Sequence, residues 1–342
     1  MKVIVDAMGG DNAPLEIVRG ALMAHKEYGT DIILVGRTEA VLQAIADCGE
    51  KTLPHGVEIA NATEVVEMCD DPAMAFKKKK DSSLTVGLNL LKDGKGDAFV
   101  SAGSTGALLS GATLVVKRIR GVRRAAMCPQ IPVAGGKAVL CDCGANAECT
   151  PEYLAQFAFL ASFYVQKVMG VERPRVGLLN IGAEEEKGDT LRLETHKLLK
   201  AAHEAGRIHF VGNVEGTSAM LGEADVIVAD GYSGNIMLKS IEGAGKLLMR
   251  ELKARLTDTL PHKLGAALIK DGLGDIKKML DPSEVGGTAF IGISKPVIKA
   301  HGSSDAKAIC SAVRQARDFA QSGFVQAVEE NIELMQLGGE AE

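Results

Sequence analysis

Tryptophan is absent from this chain, and aromatic residues of all kinds make up only 4% of it. Single-stranded nucleic acid is held largely by bases stacked on aromatic rings, so that class of partner is disfavoured. A basic excess is missing too. Lys and Arg number 39 against 44 Asp and Glu, a net charge of -5 with a pI near 5.9, which is the wrong footprint for nucleic acid. No uninterrupted apolar run reaches the ~18 residues that a membrane-spanning helix needs. The seven cysteines are odd in number, scattered through apolar segments and never spaced as Cys-x-x-Cys. That fits a reducing compartment better than a disulfide framework or a zinc site. The opening residues, Met1 to Asp6, read directly as a strand rather than as a leader, so a cytoplasmic location is expected. Two phosphate-binding signatures are missing as well. There is no Gly-x4-Gly-Lys-Ser/Thr loop and no Gly-x-Gly-x-x-Gly after the first strand, and no cofactor is expected.

Glycine, by contrast, is plentiful. The 39 glycines among 342 residues fall in clusters after apolar runs, the distribution of a glycine-looped α/β enzyme. The chain is long enough for a large core or for two lobes. Strands are expected at Lys2–Asp6, Asp31–Val35, Val57–Ala60, Ala98–Ser101, Val176–Leu179, Ile208–Val211 and Val226–Ala229. Helices are expected between them, including Pro72–Lys80, Ser83–Leu91, Pro151–Met169 with Thr150 as N-cap, and a long one to about Leu256. The runs 127–133 and 137–141, and again 290–293 and 296–299, read as antiparallel hairpins. The helix beginning at Pro151 is so densely apolar that burial on more than one side is expected, in a central core or a dimer interface.

Several loops share one build. Gly9-Gly10-Asp11, Gly103-Ser104-Thr105-Gly106, Gly144-Ala145-Asn146, Asn180 to Gly188, Gly231 to Asn235 and His301-Gly302-Ser303 each put glycine and small polar residues between a strand and a helix. Glycine lets backbone N–H groups approach an anion, and Ser, Thr and Asn add neutral donors. Each alone reads more readily as a tight turn. Together, after successive strands, they favour one shared pocket for a small anion.

These motifs carry a resemblance. Asp6-Ala-Met-Gly-Gly-Asp11, Ser101-Ala-Gly-Ser-Thr-Gly-Ala107, Gly144-Ala-Asn146, Asn180-Ile-Gly with Lys187-Gly188, Asp230-Gly-Tyr-Ser-Gly-Asn235 and His301-Gly302 together resemble the bacterial PlsX family. Those enzymes are phosphate acyltransferases of phospholipid synthesis. The likeness runs from Met1 to about Ala320, with departures at Lys77 to Lys80 and at Thr217-Ser218. It implies a Rossmann-like α/β/α sandwich with a mostly parallel sheet and antiparallel hairpin insertions, related to phosphotransacetylases and isopropylmalate dehydrogenases. It implies a homodimer that transfers a fatty acyl group from acyl-[acyl carrier protein] to inorganic phosphate. It also implies a downstream partner, the membrane acyl-phosphate:glycerol-3-phosphate acyltransferase, and peripheral contact with the inner face of the cell membrane.

The residues suit such chemistry. Phosphate is already anionic at neutral pH, and a thiol with a pKa near 8.5 is a fair leaving group. Positioning and oxyanion stabilisation then suffice, without an acyl-enzyme. Lys187, His301 and Asn235 are the expected catalytic groups. Gly10, Asp11, Gly103, Ser104, Thr105, Gly106, Asn146, Asn180, Gly182 and Gly234 are expected to bind phosphate and oxyanion. His301 is also readable as a plain turn residue. Cys141, Cys143 and Cys149 are expected to be buried thiols. Glu184, Glu185 and Glu186 read as a solvated loop face rather than a Mg²⁺ site, and no metal is expected.

Lys77, Lys78, Lys79, Lys80, Arg123 and Arg124 form a basic region on an acidic chain, either a solvated face or a docking surface for the acidic carrier protein. Leu264, Leu268, Ile276 and Leu280, flanked by lysines, could lie on anionic membrane or against a dimer mate. The expectation is a single catalytic α/β unit over residues 1–336, two lobes with the active site between them, and a loose tail at 337–342. A short-chain, CoA-dependent phosphotransacetylase and a non-catalytic carrier-protein or lipid-binding scaffold are the alternatives.

Overall fold

Strand β1 (Lys2–Asp6) carries valine and isoleucine on both faces, and residues 3–6 are all buried. That is how a strand covered by helices on either side reads. The computed structural model describes residues 1–67, 69–280 and 282–335, so the tail expected at 337–342 lies outside the described residues. Strands β2 (Asp31–Gly36), β3 (Val57–Asn61) and β4 (Ala98–Ser101) follow, connected through α1 (Leu15–Tyr28), α2 (Thr38–Asp47), α3 (Ala75–Lys78) and α4 (Ser83–Lys92). Helix α5 (Thr105–Gly111) continues as a π-helical stretch, Ala112–Val116. Next come β5 (Ala126–Cys128), β6 (Gln130–Val133), β7 (Gly136–Cys141) and α6 (Pro151–Met169). The middle continues with β8 (Val176–Leu179), α7 (Thr190–Glu204), β9 (Phe210–Val214), α8 (Gly216–Met220) and β10 (Val226–Val228). Helices α9 (Gly231–Leu256), α10 (Leu260–Leu268), α11 (Lys270–Leu280) and α12 (Pro282–Val285) precede β11 (Gly287–Ile291) and β12 (Val297–Ala300). Helices α13 (Ala306–Gln321) and α14 (Phe324–Glu330) close the described chain, followed by a 3₁₀ turn, Ile332–Met335.

The strands divide between two sheets, ordered β3-β2-β1-β4-β12-β11-β5 and β6-β7-β10-β8-β9. All pairings are parallel except those of β11 with β12 and β5, and of β6 with β7. Both expected hairpins are therefore present, with one correction. The run 127–133 is not one strand, because Pro129, which has no N–H for a ladder, separates β5 in the first sheet from β6 in the second.

Helix α6 carries the core between the sheets. Residues 154–161 are buried without interruption, so every face of that stretch meets protein. Tyr164 packs edge-on against Phe319 and Phe324, with ring centres 5.3 and 6.2 Å apart. The full burial of one such ring is worth roughly 1.5–3 kcal/mol.

Several expected boundaries move. Helix Pro72–Lys80 shrinks to α3, because Asp71 turns the chain, accepting from the Ala73 N–H at 2.8 Å. The strand expected at Ile208–Val211 starts at Phe210 and runs to Val214. Thr217-Ser218 sits in α8, where Ser218 and Glu215 form a reciprocal capping box. The segment 264–280 breaks at Ile269 into α10 and α11.

Candidate functional site

The glycine loops cluster because the strands before them are neighbours. In the first sheet β1, β4 and β12 lie side by side and parallel. Their C-terminal ends, where open α/β sheets place ligands, release the loops at Ala7, Ala102 and His301. Asp6 ends β1 and is fully buried, accepting from Ser101 Oγ at 2.7 Å and from the Met8 N–H at 3.2 Å. Burial pushes its carboxyl pKa up, against hydrogen bonds from Ser83 and Ser101. Ser101 Oγ also accepts the Gly103 N–H at 3.1 Å, tying the β4 loop to β1.

Gly10, at φ +105°, sits where a Cβ would come within 2.9 Å of Ala102 Cβ and 3.0 Å of the Gly302 carbonyl oxygen. The Asp11 N–H donates to that same Gly302 oxygen at 2.8 Å. Gly10, Asp11, Gly103 and His301-Gly302 are thus brought together. Ser104 caps α5, and its Oγ accepts the Ala107 N–H at 3.5 Å, so its own hydrogen remains to donate. Thr105 and Gly106 begin that helix, with Gly106 against Pro72.

His301 is exposed on its loop. Its Nδ1 accepts the Ser303 N–H at 3.3 Å and lies 2.9 Å from Ser303 Oγ. An accepting Nδ1 leaves the proton of the neutral ring on Nε2, available to a ligand. Desolvation lowers the His301 pKa below its ordinary 6.5, and the ammonium groups of Lys239 and Lys299 add to the effect. Lys239 belongs to α9, so that helix comes near the His301 loop.

The second sheet repeats the plan. β7, β10 and β8 are adjacent and parallel, and they release the loops at Asp142, Ala229 and Asn180. Asp142 is buried and gathers the N–H groups of Met127 (2.9 Å), Cys143 (2.6 Å) and Asn146 (2.6 Å). Burial raises its pKa while these bonds oppose the shift. Asn146 Nδ2 donates to the Ala125 carbonyl at 2.9 Å and to Asp142 at 3.0 Å. Both of its amide hydrogens are therefore committed, so Asn146 serves as a clasp between loops instead of the oxyanion donor expected.

Gly234 fits because a Cβ would lie 2.0 Å from the Asp142 carbonyl oxygen. Asn235, one residue on, is exposed beside Gly144. Asp230 caps α9 through the N–H groups of Tyr232 and Ser233, and Arg192 reaches it from α7. Arg192 also donates to Asp189 at 2.9 Å and Ser233 at 2.9 Å, fastening the β8 and β10 loops together.

In the Asn180–Gly188 loop, Asn180 Nδ2 donates to the Lys187 carbonyl at 3.0 Å while its Oδ1 accepts the Ile181 N–H at 2.8 Å. Gly182 is buried under Lys187, whose Cγ would be 2.9 Å from an added Cβ. Lys187 itself is exposed. Glu185 is drawn away from it by Lys200 at 2.7 Å and faces His196 at 3.9 Å. Among the described residues, Lys187 meets Asn180 and Gly182 of its own loop and makes no contact with the His301 group.

Away from these loops, Lys77, Lys78 and Lys80 are exposed, as are Arg123 and Arg124. Lys79 is different: it is half-buried, pairing with Asp70 at 2.6 Å and the Val65 carbonyl at 2.8 Å, so it holds its own loop and is removed from the docking set. Leu264 and Leu268 are highly exposed, Leu268 at 89%, and Ile276 is exposed at 42%. Leu280 corrects the expectation, since it is half-buried and packs toward Gly245 of α9. Cys141 and Cys143 are buried, and Cys149 is half-buried. Burial pushes the thiols of Cys143 and Cys149 up to about 12, which leaves them protonated and inert. Among the described residues, no three His, Cys, Asp or Glu side chains converge as a metal-binding group, and no helix is long and apolar enough to cross a membrane.

Sequence reasoning passed over Asp142, Arg192, Lys239 and Lys299. Lys299 is buried at the end of β12, with Nζ near the carbonyl oxygens of Ala102, at 3.4 Å, and Ala300. In the sequence it looks like an ordinary strand-end lysine, and only tertiary placement sets it apart.

Comparison with known proteins agrees with this geometry. A family model described as fatty acid synthesis protein matches residues 1–327. The chain is 46% identical over 336 residues to a phosphate acyltransferase of Thermoanaerobacter pseudethanolicus, covering 98% of both chains. It is 43% identical over 335 residues to that of Thermoanaerobacterium thermosaccharolyticum, with the same coverage. Among solved structures, a phosphotransacetylase from Streptococcus pyogenes superposes with a TM-score of 0.64 at 19% identity, covering 94% of each chain. A 4-hydroxythreonine-4-phosphate dehydrogenase from Klebsiella pneumoniae gives 0.53 at 13% identity, covering 94% of this chain and 98% of that one. These last two speak for the fold alone, and it is the expected Rossmann-like α/β/α architecture. With a family model over residues 1–327 and such identity over nearly its whole length, the chain belongs to the PlsX family of phosphate acyltransferases.

Proposed function

We propose that this phosphate acyltransferase takes a fatty acyl group from the thioester of acyl carrier protein and passes it to inorganic phosphate. The observation that carries the reading is the 46% identity to a phosphate acyltransferase over 98% of both chains. In the reaction a phosphate oxygen attacks the thioester carbonyl, a tetrahedral oxyanion forms, and the C–S bond breaks. Acyl phosphate and the carrier thiolate result, and the thiolate then takes up a proton.

Phosphate needs no strong base, and with the thiol pKa near 8.5 the sulfur needs little help to leave. The work is positioning and charge stabilisation. Backbone groups around Gly10 and Gly103, with the Ser104 hydroxyl, receive phosphate. His301 Nε2–H, on a ring kept neutral by its lowered pKa, donates to the leaving sulfur. Lys187 and Asn235, exposed on the second sheet's loops, are the groups assigned to the oxyanion. Lys77, Lys78 and Lys80, on the segment packed at Gly106, meet the acidic carrier protein.

The exposed Leu264 and Leu268, among Lys263, Lys270, Lys277 and Lys278, support peripheral attachment to an anionic membrane surface from the cytoplasm. A homodimer, and hand-over of the product to a membrane acyl-phosphate:glycerol-3-phosphate acyltransferase, complete the reading. Phosphate-dependent thiol release from palmitoyl carrier protein, set against acetyl-CoA, tests it. Preference for the carrier protein is the expected result. Faster turnover of acetyl-CoA would make the chain a short-chain phosphotransacetylase instead.

A further inference from the structure

Among the described residues Lys299 is the one buried lysine, 8% exposed. Burying an ammonium is costly unless it is paired, yet among the described residues Lys299 makes no ion pair. Its hydrogen-bond partners are two backbone carbonyls, those of Ala102 on the β4 loop and Ala300 on its own strand. An ammonium has three donors, so one has no acceptor among the described residues.

The charges around it come from three elements. Asp6 ends β1, Asp11 lies on the loop after β1, and Lys239 projects from α9. His301, two residues along, feels Lys299 and Lys239 together. The cleft thus carries two ammonium groups and a ring N–H donor at the mouth of three glycine loops. A methionine of the same length would fill the site of Lys299 without the desolvation cost, so the charge calls for a partner that arrives from outside.

We propose that Lys299 is a phosphate-binding group of the transfer site, its two backbone carbonyls aiming the third N–H at an oxygen of the phosphate dianion held between the Asp11 and His301 loops. This rests on the reading of the cleft as the site of acyl transfer to phosphate. Lys299 contacts the nucleophile, so it acts on phosphate affinity more than on bond breaking. Burial brings its pKa down to about 8, with Asp11 and Asp6 opposing that shift and Lys239 adding to it. In the free enzyme the ammonium is therefore lost above about pH 8, and phosphate binding weakens as it goes. His301 titrates on the acid side of 6.5 and leaves that alkaline limb alone.

The test uses the full chain with palmitoyl carrier protein at saturating concentration. K299M is expected to raise KM for phosphate by about tenfold or more, the weight of one charge-assisted hydrogen bond, with kcat at saturating phosphate changed far less. K299R, which cannot deprotonate in this range, is expected to keep measurable phosphate dependence and lose the parent's alkaline limb in kcat/KM for phosphate. Phosphate is also expected to raise the melting temperature of the parent but not of K299M, a readout independent of turnover. Unchanged KM in K299M, or the same alkaline limb in K299R, overturns the assignment. Should K299M fail to fold, the K299R profile alone decides. A parent without phosphate-dependent thiol release defeats the functional reading and this assignment together, whereas an active parent with insensitive variants defeats only the role of Lys299.

Discussion

Gly234 shows how little room the loops of the second sheet leave each other. A Cβ there would stand 2.0 Å from the Asp142 carbonyl oxygen, and backbone at that point cannot yield as a side-chain tip would. G234A is therefore expected to lower stability by about 1–3 kcal/mol or more, the usual penalty of overpacking, and to lower activity with it. A denaturation curve with the parental midpoint would contradict the packing. Lys187 is the opposite case, exposed and, among the described residues, bonded only through its own loop backbone. K187A is expected to reduce turnover by about tenfold or more, in the range of a lost oxyanion donor, with the melting temperature nearly unchanged. Near-parental turnover would remove Lys187 from the site. Asn146 and Lys299 mark the reach of sequence reasoning at this scale. Residue types around an anion are readable in order, but whether an amide hydrogen is free depends on Ala125, 21 positions away. Whether a lysine is buried depends on a loop 197 positions away.

At the scale of elements, the strand ends before the glycine loops were legible because parallel strands covered on both faces are apolar throughout. Asp6, Ser101 and Leu179 end their strands where the pattern says they should. What was not legible is where competing local bonds cut an element short. Asp71 turns the chain ahead of α3, and Pro129 splits one apolar run between two sheets. The same is true of the division between α10 and α11 at Ile269, near the helix-weakening Gly272 and Gly274. Leu264 and Leu268 face outward with few protein neighbours to explain them. In liposome flotation with anionic vesicles, L268E is expected to lose the binding that the parent shows. Equal flotation of the two, or none by the parent, refutes membrane contact by α10.

At the scale of the molecule, two sheets each present three adjacent parallel strand ends, and α9 spans from the second group toward the first. The division of the strands into two sheets could not be read from periodicity, which is local. It follows from pairings such as β12 beside β4, whose registered residues Val297 and Phe99 lie far apart in the chain. In the proposed reaction phosphate attacks the carrier thioester directly, beside loops where burial keeps the Cys143 and Cys149 thiols protonated and where Lys239, Lys299 and His301 lie within one another's fields. The most direct measurement is thiol release from palmitoyl carrier protein by a stoichiometric amount of enzyme, first without phosphate and then after its addition. The account predicts no thiol before phosphate and one acyl phosphate for each thiol afterwards. A burst of thiol equal to the enzyme before phosphate is added, or no release once it is present, would contradict it.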